Sequence, residues 1–221
     1  MTRNDIDIRT LLSIYKAKGY VINDNTPFHL NIGSIRNESR DGTKYDDWMF
    51  VFRKCSRPKY AFISSTNHLR KYEDGWSIDI FAVTTNPGTP LLLKPINPKG
   101  AAIVCPGQYL KVWKKGYHQG KKDHPALRQV NPIKVYRDNN KNTTLDYDTN
   151  TEIGLFGINC HRASKWNLKD YIGQNSAGCQ VHLDYTKYTE IFLYLINASN
   201  EEGYEYFDYT LIDQIDYEKA R

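Results

Sequence analysis

The chain has 221 residues, of which 40% are apolar and 25% are charged, and its formal net charge at pH 7 is +5. This length suits one globular domain with a substantial core, and the balance of residue types excludes an intrinsically disordered chain. No apolar run approaches the roughly 18 residues of a membrane span, and the four cysteines form no Cys-x-x-Cys pair, so we expect neither a membrane helix nor a disulfide framework.

The N-terminal segment predicts one amphipathic helix over residues 5–18, packed either on the body of the protein or on a partner subunit. Apolar residues recur there at helical spacing between a polar cap and a glycine stop: Asn4 or Asp5 as the cap, then Ile8, Leu11, Leu12 and Tyr15, then Gly19. The first residues lack the apolar core of a signal peptide, so we expect a protein made in the cytoplasm. We treat residues 1–20 as this helix and residues 21–221 as a single β-rich domain.

From residue 28 onward, short apolar, β-branched and aromatic runs alternate with turn residues, which is the pattern of a mainly β protein. The predicted strands cover residues 28–35, 48–53, 76–84, 101–105, 109–117 and 133–136. A second helix is predicted over residues 185–198, with Asp184 or Thr186 as its cap, and a closing strand follows over residues 204–212. The expected fold is therefore predominantly β, with one helix at the N-terminus and one near the C-terminus.

The positive charge is mild, and its densest segment is the lysine-rich stretch at residues 111–122. A run of this density is typical of a solvated face, so we do not expect nucleic-acid binding. The same charge would suit an acidic peptide or the anionic bacterial wall.

The stretch from Gly154 to Val181 carries the residues best suited to chemistry. Its first half ends a strand-like run on His161, and its second half places Cys179 directly after Gly178 at the start of another short strand. Bare backbone beside a thiol lets a substrate carbonyl approach both the sulfur and neighbouring amides, as acyl transfer requires. A free cysteine titrates near ~8.5 and needs a base, which His161 supplies.

The spacing of these residues resembles the catalytic signature of the L,D-transpeptidase (YkuD-like) cysteine enzymes. In that family a histidine precedes Ser/Thr-His-Gly-Cys by some fourteen to seventeen residues, and here residues 162–175 separate His161 from Ser176-Ala177-Gly178-Cys179. Two positions depart from the signature, because Ala177 replaces the second histidine and Val181 replaces the usual arginine. A wider run, from about residue 45 to 212, is similar to uncharacterised proteins of Bacteroidetes-infecting (crAss-like) phages.

The resemblance implies a β-sandwich like that catalytic domain and cysteine-dependent acyl transfer or hydrolysis on peptidoglycan stem peptides. The phage similarity favours wall degradation, with the protein carried in a virion beside other virion proteins or released at lysis. Two alternatives remain open, namely a catalytically inactive virion or assembly protein that retains the fold, and a wall-binding module. No cofactor is implied.

Further candidates surround this pair. Ser176 and the amides of Gly178 and Cys179 could bind an oxyanion, although serine also favours such turns for local hydrogen bonds. His118, Asp138 or a backbone carbonyl could orient the His161 ring. Arg162 could hold a substrate carboxylate in place of the missing arginine, or could be simply solvated. Two residues are expected either to line a substrate groove or to pack within strands: Tyr109 and Gln129.

A zinc site is the remaining alternative, since Cys160, His161, Cys179 and His182 include a Cys-x-x-His pair. Adjacent residues on a strand point to opposite faces, which makes joint ligation awkward. We therefore expect no metal, and we expect Cys160 to point away from His161 into the core.

Overall fold

The computed structural model describes residues 1–39, 41–55, 68–147, 150–165 and 171–221. The stretch from Gly154 to Val181 is thus described except for residues 166–170. Twelve β-strands and five α-helices are assigned within these ranges. The prediction of a mainly β chain with few helices is confirmed.

The N-terminal helix α1 (Ile8–Ala17) packs on the body of the protein. Its buried face joins a cluster with Phe50, Phe52 and Trp76, so the body, rather than a partner, covers it. The cap is Asp7, whose Oδ1 accepts from the Thr10 amide at 2.8 Å, and neither Asn4 nor Asp5 has that role. Asp7 is the cap because it directly precedes the first helical turn, where its carboxylate reaches amides that have no partner within the helix. The chain leaves the helix at Gly19, as predicted, in the left-handed region at φ +66°.

Nine strands form the main sheet: β1 (Asn31–Arg36), β2 (Asp47–Lys54), β3 (Leu69–Glu73), β4 (Trp76–Thr84), β6 (Gly107–Tyr117), β7 (Pro125–Gln129), β10 (Cys160–Arg162), β11 (Gln180–His182) and β12 (Tyr206–Asp213). Their order across the sheet is β11-β10-β7-β6-β12-β1-β2-β4-β3. A further pairing of β11 with β4 closes eight of these strands into a barrel, with β3 added outside. The family resemblance implied a β-sandwich, and the closed barrel differs from that expectation.

The closure depends on how β4 divides one of its edges. Residues 76–80 of β4 pair with β3, whereas Val83 and Thr84 pair with His182 and Val181 of β11. Because β4 takes both partners on one edge, β11 can close the ring while β3 extends the sheet outside it. Two residue pairs between β4 and β11 complete the ring, and no sequence pattern predicts them.

A second, three-stranded antiparallel sheet flanks the barrel: β5 (Ala101–Val104), β8 (Ile133–Asp138) and β9 (Thr151–Gly154). Alternate residues of β5 face opposite ways, as strand geometry requires. Ala102 and Val104 belong to the main core, whereas Ala101 and Ile103 pack with Leu92 of the short helix α2 (Thr89–Leu93).

The predicted C-terminal helix is present as α3 (Tyr185–Lys187), a π-helical turn (Tyr188–Phe192) and α4 (Leu193–Glu201). Asp184 caps it by accepting from the Lys187 amide at 3.0 Å. Five of its apolar side chains enter the main core: Tyr188, Ile191, Phe192, Leu195 and Ile196. The helix therefore supplies part of the barrel's core, and α5 (Gln214–Ala220) then follows β12 and meets α1.

Candidate functional site

Two short parallel strands place His161 and Cys179 on the same face of the sheet. Residue His161 of β10 lies opposite Val181 of β11, and side chains alternate along each strand. Cys179 and Val181 pack with Ala163 in a small cluster, whereas Cys160 lies in the main core. Because Ala163 is two residues from His161, the histidine and Cys179 point to one side, and the prediction that Cys160 points away is confirmed.

The buried ring of His161 is held in one tautomer. Its Nδ1 lies 2.8 Å from the carbonyl oxygen of Arg162, and a carbonyl only accepts, so Nδ1 carries the proton. Nε2 is buried and has no hydrogen-bond partner among the described residues. Burial, followed by the neighbouring His118, lowers the pKa of His161 to about 3. The ring is therefore a neutral imidazole with an unprotonated Nε2, which is the form a general base needs.

The thiol of Cys179 is protonated at rest. Its Sγ donates to the carbonyl oxygen of Gly157 at 3.4 Å, and no hydrogen bond joins it to His161 in the described structure. Burial raises the pKa of this thiol to about 11, against the opposing effect of the Asn159 amide, which donates to the sulfur. Attack on a carbonyl therefore requires the thiol to turn from Gly157 to Nε2 of His161, a contact that apo active sites commonly form only with substrate.

The turn before Cys179 is fixed by its own serine. Ser176 is fully buried; its Oγ accepts from the Gly178 amide at 3.1 Å and donates to the Cys179 carbonyl at 2.9 Å. The Gly178 amide is thus already engaged by Ser176, and the oxyanion role predicted for these two residues stays a prediction. Both hydrogen bonds of Ser176 are local bonds within the turn, as serine commonly forms. The Cys179 amide, which Ser176 does not engage, remains the candidate donor.

The side chains of Gln129 and Tyr109, which were predicted to line a groove or to pack within strands, hydrogen-bond to the protein backbone. Gln129 holds the loop that carries Gly157: its Oε1 accepts from the amides of Phe156 and Ile158, and its Nε2 donates to the carbonyl of Gly154. Tyr109 donates to the carbonyls of Cys105 and Lys134 and packs against the main core, and no described contact links it to the Cys–His pair. Tyr109 therefore packs among the strands and Gln129 braces a loop, and the predicted groove role of each stays a prediction.

The structure does bring His118 and Arg162 to the site. The ring of His118 stacks on that of His161 with centroids 3.9 Å apart. The carbonyl of Arg162 orients the His161 ring, so the backbone alternative holds. Asp138 lies on β8, where it accepts from the Asp146 amide instead.

Two residues of the site were missed in the sequence. His124 lies edge-on to His161 with centroids 5.2 Å apart, and its Nε2 donates to the same Arg162 carbonyl at 3.2 Å. Asn159 joins three parts of the site, because its side chain accepts from Gln129 and donates to His118 while its carbonyl accepts from Gln180. A sequence signal for His124 existed, because His118 and His124 lie together in the turn between β6 and β7, which form a hairpin.

Open space lies on two sides of the turn that precedes Cys179. A cleft of about 320 Å³ reaches Ala177 and Phe156, and its rim includes the exposed Ile96 and Leu155. A groove of about 460 Å³ is lined by His124 and by charged residues near Arg162. A substrate chain could enter from either side of the turn.

Among the described residues, no group of three or more His, Cys, Asp or Glu side chains is placed to hold a metal ion. The stacked rings of His118 and His161 do not converge on one point as tetrahedral ligands would. In the same ranges, no helix is long and apolar enough to cross a membrane.

Alkylation by iodoacetamide should separate the two site cysteines. Cys179 is 8% exposed and Cys160 is fully buried, so we expect Cys179 to be modified well before Cys160. The reacting species is the thiolate, and with a thiol pKa of about 11 its fraction should grow about tenfold per pH unit from neutrality. Mass spectrometry of peptides after timed alkylation at several pH values measures both rates. A Cys179 rate that is flat around neutral pH would show instead a resting thiolate.

Comparison with protein-family models, with curated proteins and with solved structures found no match for this chain.

Proposed function

We propose that this protein is a cysteine enzyme that cleaves or exchanges peptide bonds of peptidoglycan stem peptides, with Cys179 as nucleophile and His161 as general base. The observation that carries the proposal is the placement of both side chains on one face of β10 and β11, with the unprotonated Nε2 of His161 unpartnered. The substrate class comes from the sequence resemblance. A closed sheet, rather than a plain sandwich, would be this chain's variation on that family's fold.

The chemistry follows from the protonation states. As Sγ of Cys179 attacks the carbonyl carbon, its proton passes to Nε2 of His161, and the Nδ1 proton donated to the Arg162 carbonyl stabilises the imidazolium that forms. The imidazolium then protonates the leaving amine, which leaves an acyl group on the sulfur. Water or a second amine accepts that acyl group. The likeness to phage proteins favours water and a role in wall degradation, within a virion or after lysis.

A second candidate is a virion or wall-binding protein without catalysis. It is favoured by the resting thiol, which donates to Gly157 and makes no hydrogen bond with His161. Such a protein would bind peptidoglycan equally well with or without the sulfur.

The deciding experiment is a digest of purified peptidoglycan with the wild-type protein and with Cys179→Ala, read as muropeptides by mass spectrometry. New stems with the wild type alone support the thiol mechanism, and their masses separate water from an amine as acceptor. Unchanged muropeptides across walls of several chemotypes, with equal pull-down by both proteins, would favour the binding role.

A further inference from the structure

A basic groove lies beside the candidate site, on the His161 side of the turn. It is lined by Lys121, Asp123, His124, Arg162, Ser164, Lys165, Asn175 and Tyr185 and has a volume of about 460 Å³. Among the described residues, the permanent cations Lys121 and Arg162 face it against the one carboxylate of Asp123. That imbalance gives the groove a positive potential close to the site.

Arg162 is held in place within this groove by neutral partners. Its guanidinium donates to the carbonyls of Ala163 and Asp123 at 3.0 and 3.2 Å, and its charge lies 4.7 Å from the centroid of the Tyr185 ring. No carboxylate of the described residues forms an ion pair with it. A guanidinium fixed in this way keeps its charge available and loses little side-chain entropy when an anion binds.

The positive charges of Arg162 and Lys121 also act on the two histidines beside His161. The pKa of His124 is lowered first by burial and then by the charge of Arg162, and Lys121 contributes in the same direction. The pKa of His118 is lowered to about 4 by burial, by His124 and by Lys121. Both shifts mean that the positive potential reaches the rings packed on His161.

The groove is continuous with the proposed chemistry. Arg162 directly follows His161, His124 touches the His161 ring, and Asn175 directly precedes Ser176 of the turn that presents Cys179. A group bound there would lie next to His124 and Arg162, on the His161 side of the turn that presents Cys179. On the other side of the turn, the cleft at Ala177 is rimmed by apolar Ile96 and Leu155.

We propose that the groove of Lys121, His124 and Arg162 is a carboxylate-binding subsite, which selects an acidic residue of a peptide ligand on the His161 side of Cys179. A carboxylate matches the planar fork of Arg162 and can accept in addition from the Lys121 ammonium. As a substrate subsite this inference rests on the proposed function, but the binding of the carboxylate does not.

The test measures binding in Cys179→Ala, so that catalysis plays no part. The probes are N-acetyl-glutamate amide, its neutral isostere N-acetyl-glutamine amide, and inorganic phosphate. Histidine imidazole signals are followed by NMR through a pH titration with and without each probe. A carboxylate bound beside His124 should raise the pKa of that ring by about one unit, because a nearby negative charge favours the imidazolium.

Arg162→Gln should weaken binding of the glutamate probe at least tenfold and remove most of the probe-induced shift. Lys114→Gln, which alters an exposed lysine paired with Glu205 elsewhere, should leave both unchanged. The inference is overturned if the glutamine probe binds equally well, if Arg162→Gln binds like its parent, or if phosphate alone is bound. Loss of this subsite would leave the thiol mechanism standing, and a failed peptidoglycan digest would leave the measured binding standing.

Discussion

Replacement of His161 by glutamine is expected to lower kcat/KM for stem-peptide cleavage by about 10²- to 10⁴-fold at neutral pH, the usual contribution of a general base. Glutamine is polar and has about the length of the imidazole, so we expect the pairing of residue 161 with Val181 to be kept. What is lost is the unprotonated Nε2, the proposed acceptor of the Cys179 proton. A turnover assay with a defined muropeptide measures the effect.

The pH profile makes this prediction sharper. The pKa of His161 is about 3 and that of the Cys179 thiol is about 11, so the neutral thiol and neutral imidazole coexist between these values. Wild-type activity should therefore be flat across the neutral range and fall only as acid protonates His161. In His161→Gln, activity should rise about tenfold per pH unit towards pH 11, since hydroxide then supplies the thiolate. The deficit of the variant should shrink as pH rises.

His29→Gln is the matched control, because His29 is a half-buried histidine that stacks on Tyr204, far along the chain from the site. It should leave the profile unchanged. A His161→Gln enzyme with wild-type turnover at neutral pH would remove His161 from the mechanism. A wild-type profile that drops below about pH 6 would point instead to a histidine of ordinary pKa.

The placement of His161 and Cys179 on one face could be predicted from sequence because strand alternation and chain spacing are local. A period of two residues is enough to separate Cys160 from Cys179, and the structure places them in different clusters. The helices α1 and α4 were predictable for the same reason, since an amphipathic stripe is written in consecutive residues.

The remaining features depend on contacts between distant segments. Closure of the sheet depends on two residue pairs between β4 and β11, and the convergence of His124 with His161 depends on β7 lying between β6 and β10. The tautomer of His161 is set by a backbone carbonyl, which carries no residue-type signal. A serine in a turn can either bind an oxyanion or form local hydrogen bonds, and its residue type alone does not distinguish the two. The local hydrogen bonds of Ser176 are visible only in the structure.

Gly178 is the position where a single methyl group is expected to do most damage. Its φ is +118°, a conformation that L-residues rarely adopt, and an added Cβ would lie 2.2 Å from the carbonyl oxygen of Ala102. Because that oxygen belongs to strand β5, it cannot move aside without disturbing a ladder. We expect Gly178→Ala to lower the free energy of unfolding by about 2–4 kcal/mol, from strain and overpacking together.

The same change should remove activity even where the protein still folds. Displacement of residue 178 breaks the bond from its amide to Ser176 and moves Cys179, whose proposed reaction depends on reaching Nε2 of His161. Gly203→Ala is the matched control, since Gly203 also has a positive φ of +91° but an added Cβ meets nothing within 4 Å. Its cost should be limited to about 1–2 kcal/mol of backbone strain, with activity retained.

Urea unfolding of the two variants therefore separates strain from collision, and turnover separates stability from positioning. Equal losses of stability in Gly178→Ala and Gly203→Ala would mean that the turn relaxes away from Ala102 at little cost. Retained turnover in Gly178→Ala would mean that the approach of this turn to β5 is not what positions the thiol. Loss of turnover with only partial loss of stability is the result expected if the barrel and the flanking sheet together hold Cys179 on the face that carries His161.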